Sequence, residues 1–398
     1  MKIIADPNIP FVREAFAPLG DVQFIPGRQI TAAAVRDAEL LLIRSITPVN
    51  AALLDGSRVK FVATATIGTD HVAMADLAKH GIGFASAAGS NANSVAEYIV
   101  AAMLELAHRR GFRLHGRTLG VIGIGNVGSR VVRYAEALGM RVLQNDPPRE
   151  RAENLSYLVP LNRVLAESDI VTIHVPLTKS GLDTTFHMFD ANRLAGLEKR
   201  RPILINSARG AVVDNKALLE TIAAKKLGGV VLDVWEGEPN INTDLLAAVS
   251  PDTDVGSRDC GIGTPHIAGY SFDGKLNGTR MIYKAVCGFF GVKPTWQPVL
   301  PPPPVPQLEV TVGAGEDAED VLRRVIGQIY DITADDAALR KIISAPDGVG
   351  ASPDMIGVNF DKLRNEYGIR REFFNTKLTL RGANESLRRK FAALGFRL

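Results

Sequence analysis

The sequence is poor in cysteine: Cys260 and Cys287 are the two in 398 residues. Two thiols are too few for a disulfide framework or a cysteine-based zinc site, and we expect a reducing cytoplasm and no metal site. Charge is nearly balanced, with 46 Lys and Arg against 43 Asp and Glu, so nucleic acid and anionic membranes are not expected partners. No apolar run approaches the roughly 20 residues that span a bilayer, and no signal peptide is visible. Secreted, zinc-finger and membrane-spanning classes are therefore excluded.

Short apolar runs alternate with helix-like stretches through the first three quarters of the chain. Runs at residues 2–5, 40–44 and 61–66 are typical strands, and others follow at 117–122, 170–175, 202–206 and 229–234. This alternation predicts parallel sheets covered by helices on both faces. A long helix is predicted from Ser94 to about Arg110, with Ser94 near its cap and Glu97 at capping-box spacing.

A proline-rich segment at 294–306 interrupts this pattern and includes four consecutive prolines, Pro301 to Pro304. Proline lacks the amide donor that helices and sheets need, so the segment is predicted to be an extended linker. Residues 307–398 have their own apolar positions and form a third predicted domain.

A G-x-G-x-x-G motif directly follows the apolar run at 117–122 and opens a helix-like stretch. Gly123 permits a tight turn, Gly125 lets a pyrophosphate approach the backbone, and Gly128 lets helix and strand pack closely. Asp146 ends the next predicted strand, 18 residues after Gly128, where a ribose-binding acid is expected. Its carboxylate would repel a 2′-phosphate, so we predict NAD rather than NADP as the cofactor. Arg149 is the nearby residue that could weaken this preference.

Three further polar residues, Arg209, Glu238 and His266, each follow the end of an apolar strand-like run. Ligands of open parallel sheets bind beyond the carboxyl ends of the strands, so these side chains are expected to converge. Histidine suits a general base for a hydroxyl proton, glutamate can orient its ring, and arginine can hold a carboxylate. Together they predict oxidation of a 2-hydroxy acid. Five other histidines have no comparable setting and are expected to be structural or surface residues: His71, His108, His115, His174 and His187.

These motifs resemble the D-isomer-specific 2-hydroxyacid dehydrogenases, over roughly residues 1–290. The similar segments, in the order of that family, are the glycine loop, Asn206–Gly210, Asp233–Pro239 and Pro265–Gly269. The resemblance implies that Arg209, Glu238 and His266 are the catalytic residues, with His266 as the acid/base. It also implies that Asp233 contacts the nicotinamide carboxamide.

One branch of that family, which carries an extra C-terminal dimerisation domain, is more similar still. The segments shared with that branch are Ala5–Pro10, Pro26–Arg28, Arg44–Thr47, Ala63–His71, Asp146–Arg149, His266–Lys275 and Phe360–Glu372. The similarity implies oxidation of 4-phospho-D-erythronate to 2-oxo-3-hydroxy-4-phosphobutanoate, in pyridoxal 5′-phosphate biosynthesis, by a cytoplasmic homodimer. The implied substrate contacts are Ser45, Thr66 and Tyr270, and Arg44 is the local candidate for the substrate phosphate. The implied NAD contacts, besides the three glycines, are Asn126, Val127, Asp146, Val175, Ser207, Ala208, Arg209, Asp233 and Gly269.

The predicted fold class is α/β, with two Rossmann-like lobes of doubly wound parallel sheet and a small α+β C-terminal dimerisation domain. The predicted boundaries are a substrate lobe at 1–94 and 269–293, an NAD-binding domain at 95–268, the linker at 294–306 and the dimerisation domain at 307–398.

Two alternatives stay open at this point. One is the same chemistry on another acid, such as 3-phosphoglycerate or glycerate. The other is an NAD-sensing binding protein built on this fold. One departure from the family pattern is a loop insertion at 250–263, directly before His266, which is either a surface excursion or a change at the mouth of the site.

Overall fold

The structure is a computed structural model that describes residues 1–249, 261–343 and 353–398. The described strands are β1 Lys2–Ala5, β2 Asp21–Phe24, β3 Leu40–Ile43, β4 Phe61–Thr64, β5 Gly83–Ser86, β6 Thr118–Ile122, β7 Arg141–Asn145, β8 Ile170–Ile173, β9 Ile203–Asn206, β10 Gly229–Leu232, β11 Gly261–Gly263, β12 Gln307–Thr311 and β13 Lys377–Arg381.

The described helices lie between these strands and after them. They are α1 Val12–Phe16, α2 Ala32–Val35, α3 Ala51–Leu54, α4 Met74–Lys79, α5 Ala92–Arg109, α6 Gly128–Leu138, α7 Pro147–Glu153, α8 Leu161–Glu167, α9 Ala191–Ala195, α10 Asn215–Ala223, α11 Thr243–Ala248, α12 Phe272–Phe289, α13 Ala318–Ile329, α14 Ile332–Lys341, α15 Pro353–Asn365 and α16 Glu385–Ala393. None of the helices in the described ranges combines the length and the apolar character that crossing a bilayer requires.

The first of two compact units comprises Met1–Ala92 and Tyr270–Pro302. Its five strands are parallel and run in the order β2-β1-β3-β4-β5. Every residue of β3 and β4 is buried, as expected for central strands covered on both faces. The order reverses between β1 and β3, and such a reversal opens a ligand-binding crevice at the carboxyl ends of the strands.

The second unit comprises Asn93–Gly269 and Pro303–Leu398. Its main sheet has six parallel strands in the order β11-β10-β9-β8-β6-β7, with the reversal between β6 and β8. The C-terminal part adds the parallel pair β12–β13 as a separate two-stranded sheet. Leu339 of α14 and Phe360 of α15 are buried in the same apolar cluster as Leu204 and Leu232 of the main sheet. The C-terminal part therefore packs on the main sheet of its own unit.

The predicted fold class, with two parallel-sheet lobes and a small C-terminal domain with its own sheet, is confirmed. Two local predictions need correction or limits. The long helix begins at Ala92, so Ser94 and Glu97 lie within its first turns and do not form the predicted capping box. Of the predicted insertion at 250–263, residues 250–260 lie outside the described residues, and Gly261–Gly263 form the edge strand β11.

Candidate active site

In the glycine loop between β6 and α6, each glycine of the motif has different steric surroundings. Gly123 has φ +87°, and a Cβ there would lie 2.6 Å from the carbonyl oxygen of His174. A Cβ at Gly128 would overlap the carbonyl oxygen of Gly123, so helix and loop pack directly on each other. A Cβ at Gly125, in contrast, would meet no heavy atom within 4 Å. The space beside Gly125 is open, as the approach of a ligand to the backbone requires.

Asp146 caps α7 and also holds the glycine loop. One carboxylate oxygen accepts from the Arg149 backbone N–H at 3.1 Å, and the other accepts from the Ile124 N–H at 2.8 Å. The Arg149 guanidinium donates to the Ile124 carbonyl at 2.7 Å and makes two 2.7 Å bonds to Glu153. Ile124 is therefore held through both its N–H and its carbonyl, and Glu153 pairs with the cation that could attract a 2′-phosphate.

These features fit a dinucleotide. An open space lies beside Gly125, the carboxylate of Asp146 lies next to it, and the Ser207 hydroxyl oxygen is buried with no hydrogen-bond partner among the described residues. The other predicted NAD contacts lie at the carboxyl ends of the same strands. Asn126 and Val127 follow β6, Val175 follows β8, Ala208 and Arg209 follow β9, Asp233 follows β10, and Gly269 follows the turn after β11.

His266 and Glu238 form a hydrogen-bonded pair beyond β10 and β11. The His266 Nδ1 lies 2.7 Å from Glu238 Oε2. Because a carboxylate only accepts, Nδ1 carries the hydrogen in the neutral ring and Nε2 keeps its lone pair. Burial by itself would raise the pKa of Glu238, but the charge of the protonated His266 ring, its hydrogen bond and the Trp235 N–H lower it below its ordinary value. The pair is thus an ionised carboxylate beside a ring that can accept a proton at Nε2.

The backbone at His266 is strained, with φ +57° in the left-handed region, which costs on the order of 1–3 kcal/mol for a residue other than glycine. The buried carboxylate of Asp233 holds the turn in place. Its Oδ1 accepts from the Ile267 N–H at 2.8 Å and from the Thr264 hydroxyl at 2.7 Å, and its Oδ2 accepts from the Ala268 N–H at 3.0 Å. Burial raises the pKa of Asp233, against the charge of His266 and these hydrogen bonds. This role in the turn was not predicted from the sequence.

Arg209 follows β9, next to β10 in the sheet. Its backbone is fixed because the Asn206 amide donates to the Arg209 carbonyl at 2.9 Å. Gly210 then passes so close to Trp235 that a Cβ would overlap its backbone. The three predicted catalytic residues therefore follow three neighbouring strands, β9, β10 and β11, at one edge of the sheet.

The predicted substrate contacts belong to the first unit, whereas the predicted catalytic residues belong to the second. Arg44 and Ser45 directly follow β3, and the Thr66 hydroxyl lies beyond β4, 2.7 Å from the hydroxyl of Thr64. The Tyr270 ring carries the Lys275 ammonium 4.2 Å from its centre.

A residue that the sequence analysis did not single out, Asp6, follows β1 at the same edge of the five-stranded sheet. It is fully buried, and its Oδ2 has no hydrogen-bond partner among the described residues. Its place directly after a strand was the available signal.

A second histidine–glutamate pair lies nearby in the second unit. His187 Nε2 is 2.8 Å from Glu236 Oε1, and His187 also has a positive φ, +46°. Its ring stacks on Phe186 with centroids 4.0 Å apart. His174, by contrast, is half-buried beside the glycine loop, and loss of hydration lowers its pKa to about 3, so it is neutral.

Comparison with known proteins places these features in a family. Residues 83–268 match the model of the D-isomer specific 2-hydroxyacid dehydrogenase NAD-binding domain, and residues 299–395 match a domain of unknown function. The chain is 46% identical over 400 residues to an erythronate-4-phosphate dehydrogenase of Cellvibrio japonicus, covering all of both chains. It is 43% identical over 378 residues, 95% of each chain, to the enzyme of that name from Serratia proteamaculans.

Solved structures that are similar to the chain cover a smaller part of it. A D-lactate dehydrogenase of Aquifex aeolicus, solved with NAD and lactic acid, is 28% identical with a TM-score of 0.57. It matches 73% of this chain and 96% of its own length. A Thermus thermophilus protein is 26% identical with a TM-score of 0.59, matching 74% of this chain and 98% of its own length.

Proposed function

This chain belongs to the D-isomer specific 2-hydroxyacid dehydrogenase family, and we propose that it oxidises 4-phospho-D-erythronate to 2-oxo-3-hydroxy-4-phosphobutanoate in pyridoxal 5′-phosphate biosynthesis. It is an NAD-dependent dehydrogenase. The observation that carries the substrate assignment is coverage. The lactate dehydrogenase matches 73% of this chain, whereas the Serratia and Cellvibrio enzymes named for erythronate 4-phosphate match 95% and 100%, including the C-terminal domain.

In the proposed reaction, His266 takes the proton of the substrate's C2 hydroxyl at Nε2, the ring nitrogen not bonded to Glu238. The ionised Glu238 carboxylate then stabilises the positive charge that the ring acquires. Arg209 binds the substrate carboxylate through its guanidinium and polarises the C2 oxygen. When bound, NAD supplies the nicotinamide ring that accepts the hydride from C2.

For NAD itself, we propose that the amides at the N-terminus of α6 bind the pyrophosphate beside Gly125. Asp146 would accept hydrogen bonds from the hydroxyls of the adenosine ribose, using lone pairs that the Ile124 N–H leaves free. Ser207 would donate a hydrogen bond to the cofactor from its otherwise unpartnered hydroxyl. Asp233 would accept a hydrogen bond from the nicotinamide carboxamide with a lone pair that the Ala268 N–H leaves free.

Each part of the chain has a proposed role. Residues 95–268 bind NAD. Residues 1–94 and 269–293 bind the substrate through Ser45, Thr66 and Tyr270. Residues 294–306 link these two parts to a dimerisation domain at 307–398. We further propose that the enzyme is a cytoplasmic homodimer.

The phosphate of the substrate needs cationic and hydroxyl donors, and Arg44 with Ser45 offers both directly after β3. R44A is expected to raise KM for the phosphorylated acid by about 10²-fold, since hydrogen bonds to charged groups are worth about 1.5–3 kcal/mol. KM for the unphosphorylated acid, D-erythronate, should change little. Steady-state kinetics with the two acids measure this, and an equal effect on both would remove Arg44 from the phosphate site.

The substrate assignment is tested with purified protein, NAD and a panel of acids, by following absorbance of the reduced nicotinamide. The panel contains 4-phospho-D-erythronate, 3-phosphoglycerate and D-glycerate, each with and without an added 2-keto acid as electron acceptor. Turnover of 4-phospho-D-erythronate well above the other acids supports the proposal. Preferred turnover of 3-phosphoglycerate or D-glycerate would overturn the substrate, and NAD binding without turnover of any acid would overturn the reaction.

A further inference from the structure

Arg370 lies in the C-terminal segment, residues 303–398, and is a buried cation that contacts the turn carrying His266. It lies between α15 and the short 3₁₀ turn Phe373–Asn375, and it is 5% exposed. Its guanidinium carbon lies 3.7 Å from the centre of the Tyr330 ring. One nitrogen, Nη1, donates to the Ala268 carbonyl at 3.2 Å, and the other, Nη2, donates to the Ser94 carbonyl at 2.7 Å.

The Ala268 peptide groups are thereby held from both sides. Its N–H donates to Asp233, and its carbonyl accepts from Arg370 and from the Ser94 hydroxyl at 2.9 Å. Ala268 is two residues after His266, so these bonds hold the backbone directly after the strained residue. The backbone that aims the imidazole is therefore fixed partly by a side chain from the C-terminal segment.

Packing alone does not explain an arginine at this position. Removing a cation from water is costly unless it is paired and hydrogen-bonded, and an apolar side chain of similar volume would fill the same space without that cost. The groups around Arg370 compensate in part: the Tyr330 ring lies against the guanidinium, and the carboxyls of Glu97 and Asp335 supply opposite charge. What the guanidinium adds beyond packing is its pair of directed donors to Ala268 and Ser94.

We propose that Arg370 is a positioning residue for the catalytic histidine: by holding the Ala268 carbonyl against α5, it keeps the His266 ring aligned with Glu238. The C-terminal segment then contributes to catalysis within its own chain, whatever else it binds. This inference rests on the proposed function, because it assigns His266 as the base.

The test compares R370M and R370K with the control R323M. Arg323 is another arginine of the C-terminal segment that contacts α5, since its Nη1 lies 3.4 Å from Glu105. Glu105 is 11 residues beyond Ser94, about 16 Å along the helix, and keeps its bond to Arg109 at 2.7 Å. The readouts are kcat, KM and Kd for NAD, melting temperature, and the isotope effect on kcat with substrate deuterated at C2.

R370M is expected to lower kcat by about 10²-fold, the scale of a 1 Å misplacement of a reacting group. Kd for NAD should stay within about twofold, and the isotope effect on kcat should rise because hydride transfer becomes slower than product release. R370K keeps one donor and should regain part of the loss, while R323M should match the wild type. A role limited to stability would lower the melting temperature but leave the isotope effect unchanged.

The ring itself gives a second readout that does not depend on turnover. In protein labelled with ¹⁵N-histidine, the Nδ1–H signal of the Glu238 hydrogen bond, assigned by its absence in H266Q, should weaken in R370M and persist in R323M. If the wild type turns over none of the acids, the proposed function fails, and this signal still decides the positioning role. Wild-type kcat and an unchanged Nδ1–H signal in R370M, or in R370K should R370M not fold, would overturn the proposal.

Discussion

Two histidine–glutamate pairs of the second unit have their glutamates, Glu236 and Glu238, on the same turn, yet the surroundings of the two histidines differ. Glu238 pairs with His266 at 2.7 Å and Glu236 pairs with His187 at 2.8 Å, and both histidines have a positive φ. The His266 turn is bonded to the buried carboxylate of Asp233 and follows a strand at the carboxyl edge of the sheet. The His187 ring instead stacks on Phe186.

The difference shows that the pair alone does not identify a base. Stacking covers one face of the His187 ring, and its Nε2, the outer ring nitrogen, is already bonded to Glu236. In His266 the inner nitrogen, Nδ1, makes the bond to glutamate, which leaves Nε2 for a substrate. The position of the bonded nitrogen and the buried support beneath the turn distinguish the proposed catalytic pair from its neighbour.

Substitution of each histidine distinguishes the two pairs, and the loss of kcat in H266Q is expected to be the largest effect. H266Q should lower kcat by about 10²–10⁴-fold, the usual contribution of a positioned general base. H187Q should stay within about threefold of the wild type, as expected for a substitution that touches no reacting group. Steady-state kinetics with 4-phospho-D-erythronate, with Kd for NAD as the check on folding, measure both. A loss of kcat in H187Q as large as that in H266Q would make both pairs catalytic.

The two glutamates give the second prediction. E238Q should lower kcat by about 10²-fold, because the neutral amide no longer stabilises the ring cation. The control, E236Q, removes a carboxylate from the same turn and should keep most of the activity.

The pH dependence of stability follows from the pKa of Glu238, which is lowered from its ordinary value of 4.5 in the folded state. Such a carboxylate stabilises the fold at pH above its unfolded pKa, and this contribution is lost as the pH falls through the folded pKa. The advantage of wild type over E238Q in free energy of unfolding should therefore shrink from pH 6 towards pH 3, as urea denaturation at several pH values would measure. A constant difference would contradict the ionised pair.

A substitution in the glycine loop, G125A, separates cofactor binding from proton transfer and is expected to have the smallest effect. G125A adds a methyl group where no heavy atom lies within 4 Å, so the melting temperature should hold while Kd for NAD rises about 10-fold, because the methyl occupies the space of the pyrophosphate. G128A is the matched control, since its methyl would overlap the Gly123 carbonyl and lower stability as well. Isothermal titration and thermal melting decide, and unchanged NAD affinity in G125A would remove the loop from the pyrophosphate site.

Much of the fold could be predicted because its determinants are local. The strands β3, β4, β9 and β10 are buried at every residue, which appears in sequence as continuous apolar runs. The glycine motif was visible because Gly123 and Gly128 meet steric demands of the loop itself, while Gly125 leaves open space beside it. The polar residues after β9, β10 and β11 could be grouped because parallel strands end at one edge of a sheet.

The rest depends on contacts between distant parts of the chain. Ser94 and Glu97 have capping-box spacing, but the Ser94 hydroxyl donates to Ala268 and Glu97 accepts from the Phe373 N–H at 2.8 Å. Their partners lie 174 and 276 residues away, so local spacing predicted the wrong role. The same holds for Asp233, whose partners Thr264, Ile267 and Ala268 lie 31 to 35 residues away. It holds also for Arg370, whose bonds to Ala268 and Ser94 form only when the C-terminal segment packs on α5.

In the proposed reaction, His266 and not His187 accepts the proton during hydride transfer. The most direct measurement is a single turnover in stopped flow, mixing enzyme and NAD with 4-phospho-D-erythronate and recording reduced nicotinamide per active site. This isolates the chemical step from product release and from any electron acceptor. A fast burst is expected in wild type and in H187Q, and none in H266Q. A burst of wild-type rate in H266Q would rule out His266 as the base.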